Sequence, residues 1–160
     1  GLLDDAMVLG VKTRFFAQIV ATGVVMAGTG VWVTSIGLAA LEWVPMAQLG
    51  IPMTLIAVVG LTNAYNMADG IDGLASGYAL VCIACLAGAM QLTQSTILHF
   101  EWLVVIFSVF LAFWLVNMAL TPLKKVFLGD AGSLLIGFLM AWLLVYYSQE
   151  PISMIHPVAT

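Results

Sequence analysis

Five apolar runs dominate the chain, and short stretches between them hold most of its charged residues. The runs cover approximately residues 15–38, 50–65, 74–92, 102–120 and 133–147. A membrane-spanning helix needs about 20 mostly apolar residues. We therefore predict an all-α fold, a polytopic transmembrane helical bundle with about five spans. Because the connections are short, neighbouring spans should run antiparallel.

The composition agrees with a membrane protein, since 63% of the residues are hydrophobic and only 8% are charged. Soluble domains carry about 25% charged residues. No hydrophilic run is long enough to form a separate soluble domain. We expect residues 1–160 to form one integral membrane domain, and we expect no nucleic-acid partner.

The cations fix the orientation of the spans. Lys12 and Arg14 precede the first span, while Lys124 and Lys125 lie between the fourth and the fifth. Alternating spans put all four on one side, which the positive-inside rule makes cytoplasmic. The same alternation sorts the acids: Asp4, Asp5, Asp69, Asp72 and Asp130 fall on the cytoplasmic side, and Glu42, Glu101 and Glu150 fall on the other.

The central segment, residues 62–77, is the richest in candidate chemistry. Asn63, Asn66, Asp69 and Asp72 recur at every third position in it. Such spacing can point several oxygen ligands toward one site, and oxygen ligands suit Mg²⁺, with Mn²⁺ as an alternative. The segment has no His or Cys for zinc, so a hard cation is expected.

Three motifs in order resemble the signature of a known family. They are GLLDD at residues 1–5, followed by Lys12, Arg14 and Gln18; NMADGIDGL at residues 66–74; and KVFLGDAGSLLIG at residues 125–137. The pattern is similar to the polyprenyl-phosphate N-acetylhexosamine-1-phosphate transferases, glycosyltransferase family 4. These membrane enzymes transfer a sugar-1-phosphate from a UDP-sugar to a lipid phosphate. NMADGIDGL and FLGDAGS resemble the branch that uses UDP-N-acetylglucosamine more than the peptidoglycan branch.

The resemblance implies roles for individual residues. Asp130 is expected to hold the metal, together with Asn66. Asp4, Asp5 and Asp69 are the expected catalytic residues. The expected substrate-binding residues are Asp72, which would face the uracil ring, with Asn63, Lys125, Lys12 and Gly129.

Elementary chemistry supports part of this assignment. Asp130 lies directly ahead of the fifth span, where the exposed amides of a helix N-terminus favour anions. A base role for Asp4 or Asp5 is weakly supported, because the second pKa of a phosphate monoester is near 6 and the lipid phosphate is already largely dianionic. We therefore read this pair first as carboxylates near the metal.

The resemblance predicts Mg²⁺-dependent transfer of N-acetylglucosamine-1-phosphate to undecaprenyl phosphate with release of UMP. That reaction would be the first membrane step of O-antigen or related polysaccharide assembly in the bacterial inner membrane. The family's usual homodimer is a further expectation. One alternative changes the donor to UDP-MurNAc-pentapeptide, the substrate of the peptidoglycan enzyme.

Two other classes stay open. An ion-coupled transporter or channel would place acids near the middle of the bilayer, whereas every Asp here lies at a predicted span end. A purely structural subunit would leave the oxygen-rich loops without a purpose.

The match has one departure and an incomplete extent. The family commonly has an acidic residue three positions after the Asp-Asp pair, where this chain has Val8. We read the chain as an internal fragment of a larger transferase, with catalytic loops near residues 1–14, 62–74 and 120–133. It stops before the family's His-containing loop, so we expect no activity from these residues alone.

Overall fold

A computed structural model describes residues 10–35, 46–92 and 100–149. In these ranges the chain forms five α-helices and no β-strand. The helices are α1 (Val11–Thr29), α2 (Met46–Ala68), α3 (Leu74–Leu92), α4 (Phe100–Asn117) and α5 (Gly129–Gln149). The predicted all-α fold class is confirmed.

Four of these helices, α2 to α5, are long and apolar enough to cross a membrane. Helix α1 is not among them, because Lys12, Arg14 and Gln18 lie in its first turns and lower its mean hydropathy. In the part of the chain that the structure describes, four of the roughly five predicted spans are therefore supported by length and composition.

The helix ends differ from the predicted span ends for local reasons. Helix α1 stops at Thr29 because Gly30 adopts a left-handed conformation with φ 68° and its N–H caps the Met26 carbonyl. The first span, predicted to reach residue 38, is therefore too long. Helix α2 continues beyond residue 65, as far as Ala68, so Asn63 and Asn66 are helical.

The bundle is built on the contact between α2 and α5, the most extensive between any two described helices. Gly137 in α5 makes this close approach possible. A Cβ atom at Gly137 would lie 2.8 Å from the Cα atom and 2.9 Å from the carbonyl oxygen of Thr62 in α2. Small residues let helix backbones approach closely in lipid, where van der Waals packing drives association.

Helix α1 packs on α2, α3 packs against both helices of this pair, and α4 packs on α3. Two glycines bring α3 close to Trp114 of α4. A Cβ atom would lie 3.5 Å from the Trp114 Nε1 atom at Gly77 and 3.1 Å from it at Gly73. Gly73 also has a left-handed φ of 72°. Both space and backbone conformation therefore require glycine where the central motif enters α3.

Buried hydroxyl groups inside the helices bond to the helices themselves. The side chains of Thr22, Thr54 and Thr62 each donate to the carbonyl four residues earlier, at 2.7 Å. Lipid offers no hydrogen-bond partners, so such internal bonds are needed. These three hydroxyls are satisfied locally and are poor candidates for substrate binding.

A separate polar contact closes the bundle at the end away from the three motifs. The Gln149 side-chain oxygen accepts hydrogen bonds from the N–H groups of Thr34 at 2.7 Å and Ser35 at 3.1 Å. The Val33 N–H donates to the Thr54 hydroxyl at 2.9 Å. The non-helical residues after α1 are thus tied to both α2 and α5.

We expect Gly137→Ala to destabilise the protein by about 1–3 kcal/mol, the usual cost of overpacking, because the new methyl group would push α2 away from α5. Gly60→Ala in α2 is the matched control, since a Cβ atom there meets no atom within 4 Å. Thermal unfolding in detergent, followed by circular dichroism, measures both. Equal melting temperatures for the two variants would contradict the close approach at Gly137.

Candidate functional site

Polar side chains from the three motifs meet at one end of the bundle, which we call the polar end. It contains the starts of α1, α3 and α5, the ends of α2 and α4, and the loops 69–73 and 118–128. Glu101 lies in the first turn of α4, at the opposite end. Asp4 and Asp5 lie outside the described residues.

The Asp130 side chain, in α5, contacts residues of two other helices, α1 and α2. Its Oδ2 atom lies 3.2 Å from an Arg14 guanidinium nitrogen of α1. Its Oδ1 atom accepts a hydrogen bond from Asn66 Nδ2 of α2 at 3.3 Å. Asp130 lies within the first turn of α5 rather than ahead of it, because the helix already begins at Gly129. A negative charge in the first turn of a helix is stabilised by the helix dipole.

Ser133 completes this group. Its hydroxyl, fully buried, accepts a hydrogen bond from Asn66 Nδ2 at 2.8 Å and contacts the Gly129 carbonyl at 3.1 Å. Ser133 lies one turn before Gly137, and Asn66 lies one turn after Thr62, so the two contacts follow one another along the antiparallel helices. The close packing of α2 and α5 therefore sets the position of Asn66 beside Asp130.

Asp69 is the first residue of the loop 69–73, directly after α2. Partial burial raises the pKa of its carboxyl above the ordinary value, and the negative charges of Asp130 and Asp72 raise it further. Asp69 is thus close enough to Asp130 and to Asp72 for its carboxylate to be repelled by both. A bound cation would relieve that repulsion.

A second group joins the central motif to the loop before α5. Lys125 forms an ion pair with Asp72, and its ammonium nitrogen lies 4.9 Å from the centre of the Phe127 ring. The side chains of Asp72 and Lys125 are half and one-third exposed, respectively. A water-soluble anion can therefore reach Lys125 from the polar end.

Asn63 has a different environment from Asn66, although the two lie on the same helix. Its Nδ2 atom donates to Gln18 Oε1 of α1 and to the Val59 carbonyl, both at 2.7 Å. The structure thus uses Asn63 to join α1 to α2 beside the Asp130 group.

Of the two other expected substrate-binding residues, Lys12 is exposed near the start of α1. Gly129 has a left-handed φ of 67° and open space around its Cα atom. Both belong to the polar end.

The donor set is suited to a hard cation but is not a complete cage in the described residues. No group of three His, Cys, Asp or Glu side chains able to hold a metal is found in residues 10–35, 46–92 and 100–149. Asp130 and Asp69 supply carboxylate oxygens, and Mg²⁺ commonly binds through one or two carboxylates while retaining water. Asn66 turns its N–H group toward Asp130, so coordination by Asn66 would need the amide to turn over.

The comparisons with known proteins agree with the three motifs. Residues 1–148 match the model of glycosyl transferase family 4. The chain belongs to this family. The family expected from the resemblance is therefore confirmed, and the described residues of its three motifs meet at the polar end.

Relatives extend over almost the whole chain. It is 37% identical to the undecaprenyl-phosphate alpha-N-acetylglucosaminyl 1-phosphate transferase of Yersinia pestis and 35% identical to that of Escherichia coli K12, each over 99% of the chain. A probable undecaprenyl-phosphate N-acetylglucosaminyl 1-phosphate transferase of Bacillus subtilis is 30% identical, also over 99%. The chain spans only 43–44% of these relatives. No solved structure matches it.

The structure adds residues to the site to which the sequence assigned no role in it. Arg14 and Gln18 belong to the first motif, and family order was the signal that could have assigned them to the site. Ser133 belongs to the third motif, but it directly precedes an apolar run, and nothing in the sequence therefore indicated that its hydroxyl takes part in the site. Asn117 ends an apolar helix with no motif around it, so only the tertiary structure draws attention to it.

We expect Asp69→Asn to raise the melting temperature of the metal-free protein at neutral pH. The folded state has the higher Asp69 pKa, so it binds more protons than the unfolded chain above the ordinary Asp pKa, and stability falls as pH rises through that interval. Asp69→Asn removes the ionisable group and with it this pH-dependent loss of stability. Melting in EDTA between about pH 4 and pH 7 should show the gain growing with pH.

Glu101→Gln, at the opposite end, is the control for this measurement and should not reproduce the trend. A gain for Asp69→Asn that shrinks as pH rises would contradict the raised pKa.

Proposed function

We propose that the protein transfers N-acetylglucosamine-1-phosphate from UDP-N-acetylglucosamine to undecaprenyl phosphate and releases UMP. The observation that carries the proposal is the meeting of Asp130, Asn66 and Arg14 with the Asp72–Lys125 pair at one end of a membrane bundle. A transferase with one water-soluble and one lipid substrate needs its charged groups where lipid meets water. The names of the relatives support the choice of sugar and acceptor.

In the proposed reaction, an oxygen of the lipid phosphate attacks the phosphorus that carries the sugar. The bond between that phosphorus and the oxygen bridging to the UMP phosphate breaks, and UMP leaves with the electron pair. The lipid then carries a diphosphate linked to N-acetylglucosamine. Because the lipid phosphate is largely dianionic near neutral pH, the step needs charge neutralisation and alignment more than a strong base.

Mg²⁺, when bound, would neutralise charge on the transferred phosphoryl group. Asp130 and Asp69 are the described residues that would hold it, with Asn66 as an amide ligand once its oxygen faces the ion. Arg14 contacts Asp130 from α1 and would keep the Asp130 carboxylate oriented. Asp4 and Asp5 are proposed as further carboxylates near the metal.

The donor nucleotide is proposed to lie over the second group. Asp72 is an acceptor suited to the imide N–H of uracil, and Lys125 supplies positive charge for the diphosphate. Lys12 and Gly129 would extend this anion-binding surface. Asn63 would act through Gln18 by holding α1 beside it.

The site is proposed to face the cytoplasm of a bacterial inner membrane, since Lys12, Arg14, Lys124 and Lys125 all lie at the polar end and cations favour that side. A role in O-antigen or related polysaccharide assembly, and a homodimer, follow from the same family reading. An ion-coupled transporter is less well supported. Asp69, Asp72 and Asp130 lie at helix ends, whereas a transport pathway needs ionisable groups within the membrane.

We expect membranes containing the full-length protein to convert UDP-N-acetylglucosamine and undecaprenyl phosphate to UMP and lipid-linked sugar. The reaction should stop in EDTA and recover when Mg²⁺ is added. Asp130→Asn should lower the rate about 100-fold or more, because it removes the charge that would hold the ion. Glu101→Gln should retain the activity.

Use of UDP-MurNAc-pentapeptide alone would leave the reaction class standing and refute the donor. Consumption of no UDP-sugar by folded protein would refute the transferase reading.

We expect Lys125→Ala to raise the KM for UDP-N-acetylglucosamine about tenfold or more, since a charge-assisted contact contributes about 1.5–3 kcal/mol. Lys124→Ala is the matched control from the same loop and removes the same charge without breaking the Asp72 ion pair. Initial rates at varied donor concentration distinguish the two. Equal effects would show that only net charge matters.

A further inference from the structure

Asn117, the last residue of α4, uses both ends of its side-chain amide in hydrogen bonds to other segments. The oxygen accepts a bond from the Gly73 N–H at 2.6 Å, and the nitrogen donates to the Val126 carbonyl at 2.9 Å. The residue is only 5% exposed. A buried side-chain amide whose oxygen and nitrogen are both hydrogen-bonded fixes the positions of the two loop segments that it joins.

These two loop segments carry Asp72 and Lys125, the pair proposed to bind the nucleotide donor. Gly73 directly follows Asp72, and Val126 directly follows Lys125. The Asp72–Lys125 ion pair itself is exposed by one-third to one-half, and exposed pairs contribute only about 0–1 kcal/mol. The ion pair is therefore too weak to hold the two loops in register, whereas the buried amide is shielded from water.

The backbone around Asn117 favours the same arrangement. Gly73 lies against Met118 and Trp114 with no room for a Cβ atom, so the loop 69–73 rests directly on the end of α4. Ala119 adopts a left-handed φ of 54°, uncommon for a residue with a side chain. Such a conformation persists only where surrounding contacts determine it.

We propose that Asn117 is a positioning residue that holds Asp72 and Lys125 in register for binding of the nucleotide donor. The positioning of the two loops is inferred from the hydrogen bonds of Asn117. Its effect on donor binding rests on the proposed function. Asn117 would touch no substrate. Its effect should appear in the KM for the UDP-sugar, and the KM for the lipid phosphate should not change.

The chemistry of the amide provides a discriminating variant. In Asn117→Asp the carboxylate can still accept the Gly73 N–H but cannot donate to the Val126 carbonyl. In Asn117→Ala both partners lose their bonds. Ser108→Ala is the control, because its hydroxyl donates to the Val104 carbonyl of the same helix and so joins no two segments.

Hydrogen exchange followed by mass spectrometry tests the cause without relying on any activity. Asn117→Ala should speed exchange in peptides covering both 69–73 and 124–128. Asn117→Asp should speed it mainly in 124–128, and Ser108→Ala in neither. Unchanged exchange in both peptides of Asn117→Ala would overturn the inference, whatever the substrate of the enzyme.

Initial-rate kinetics in membranes tests the consequence. Asn117→Ala should raise the donor KM about tenfold, the upper range for a buried hydrogen bond, and leave the acceptor KM within about twofold. In the Asp72→Asn background, Asn117→Ala should raise the donor KM far less than it does in the wild-type protein, because the effects of residues that act together are not additive. Equal rises in both KM values, or full additivity, would overturn the positioning role. Failure of the wild-type protein to use UDP-N-acetylglucosamine would instead refute the proposed function.

Discussion

The bilayer gives no hydrogen bonds to polar groups, and this constraint determines where chemistry can be placed in the chain. Within the described spans, hydroxyl side chains such as Thr54 and Thr62 bond to their own helix. Charged side chains lie at the helix ends, where water and headgroups can solvate them. A site for a charged donor therefore has to be assembled from helix ends contributed by different parts of the chain.

Packing of apolar helices then sets the precision of that site. The backbone contact between Gly137 and Thr62 lies one helical turn from the Ser133–Asn66 hydrogen bond. Displacement of α2 from α5 would consequently move Asn66 away from Asp130. A glycine with no chemical role is thus linked through two helices to the residues proposed to hold the metal.

The polar end consists of two groups that meet electrostatically at Asp69. One group joins α1, α2 and α5 around Asp130, and the other joins the loops beside α3 and α4 through Asp72 and Lys125. Both Asp130 and Asp72 raise the pKa of Asp69. A metal bound in one group would therefore also act electrostatically on the other, which suits the proposed alignment of a nucleotide diphosphate with a lipid phosphate.

The sequence by itself determined the all-α class, the approximate spans and the end of the bundle at which the described motif residues meet, because hydropathy and the alternation of spans depend only on local composition. It also placed Asp69, Asp72, Lys125 and Asp130 at that end. It did not predict that α1 ends at Thr29, since a single left-handed glycine, Gly30, stops the helix inside an apolar run. The partners of Arg14, Ser133 and Asn117 were decided only by the tertiary structure, because such contacts depend on how helices distant in sequence pack together.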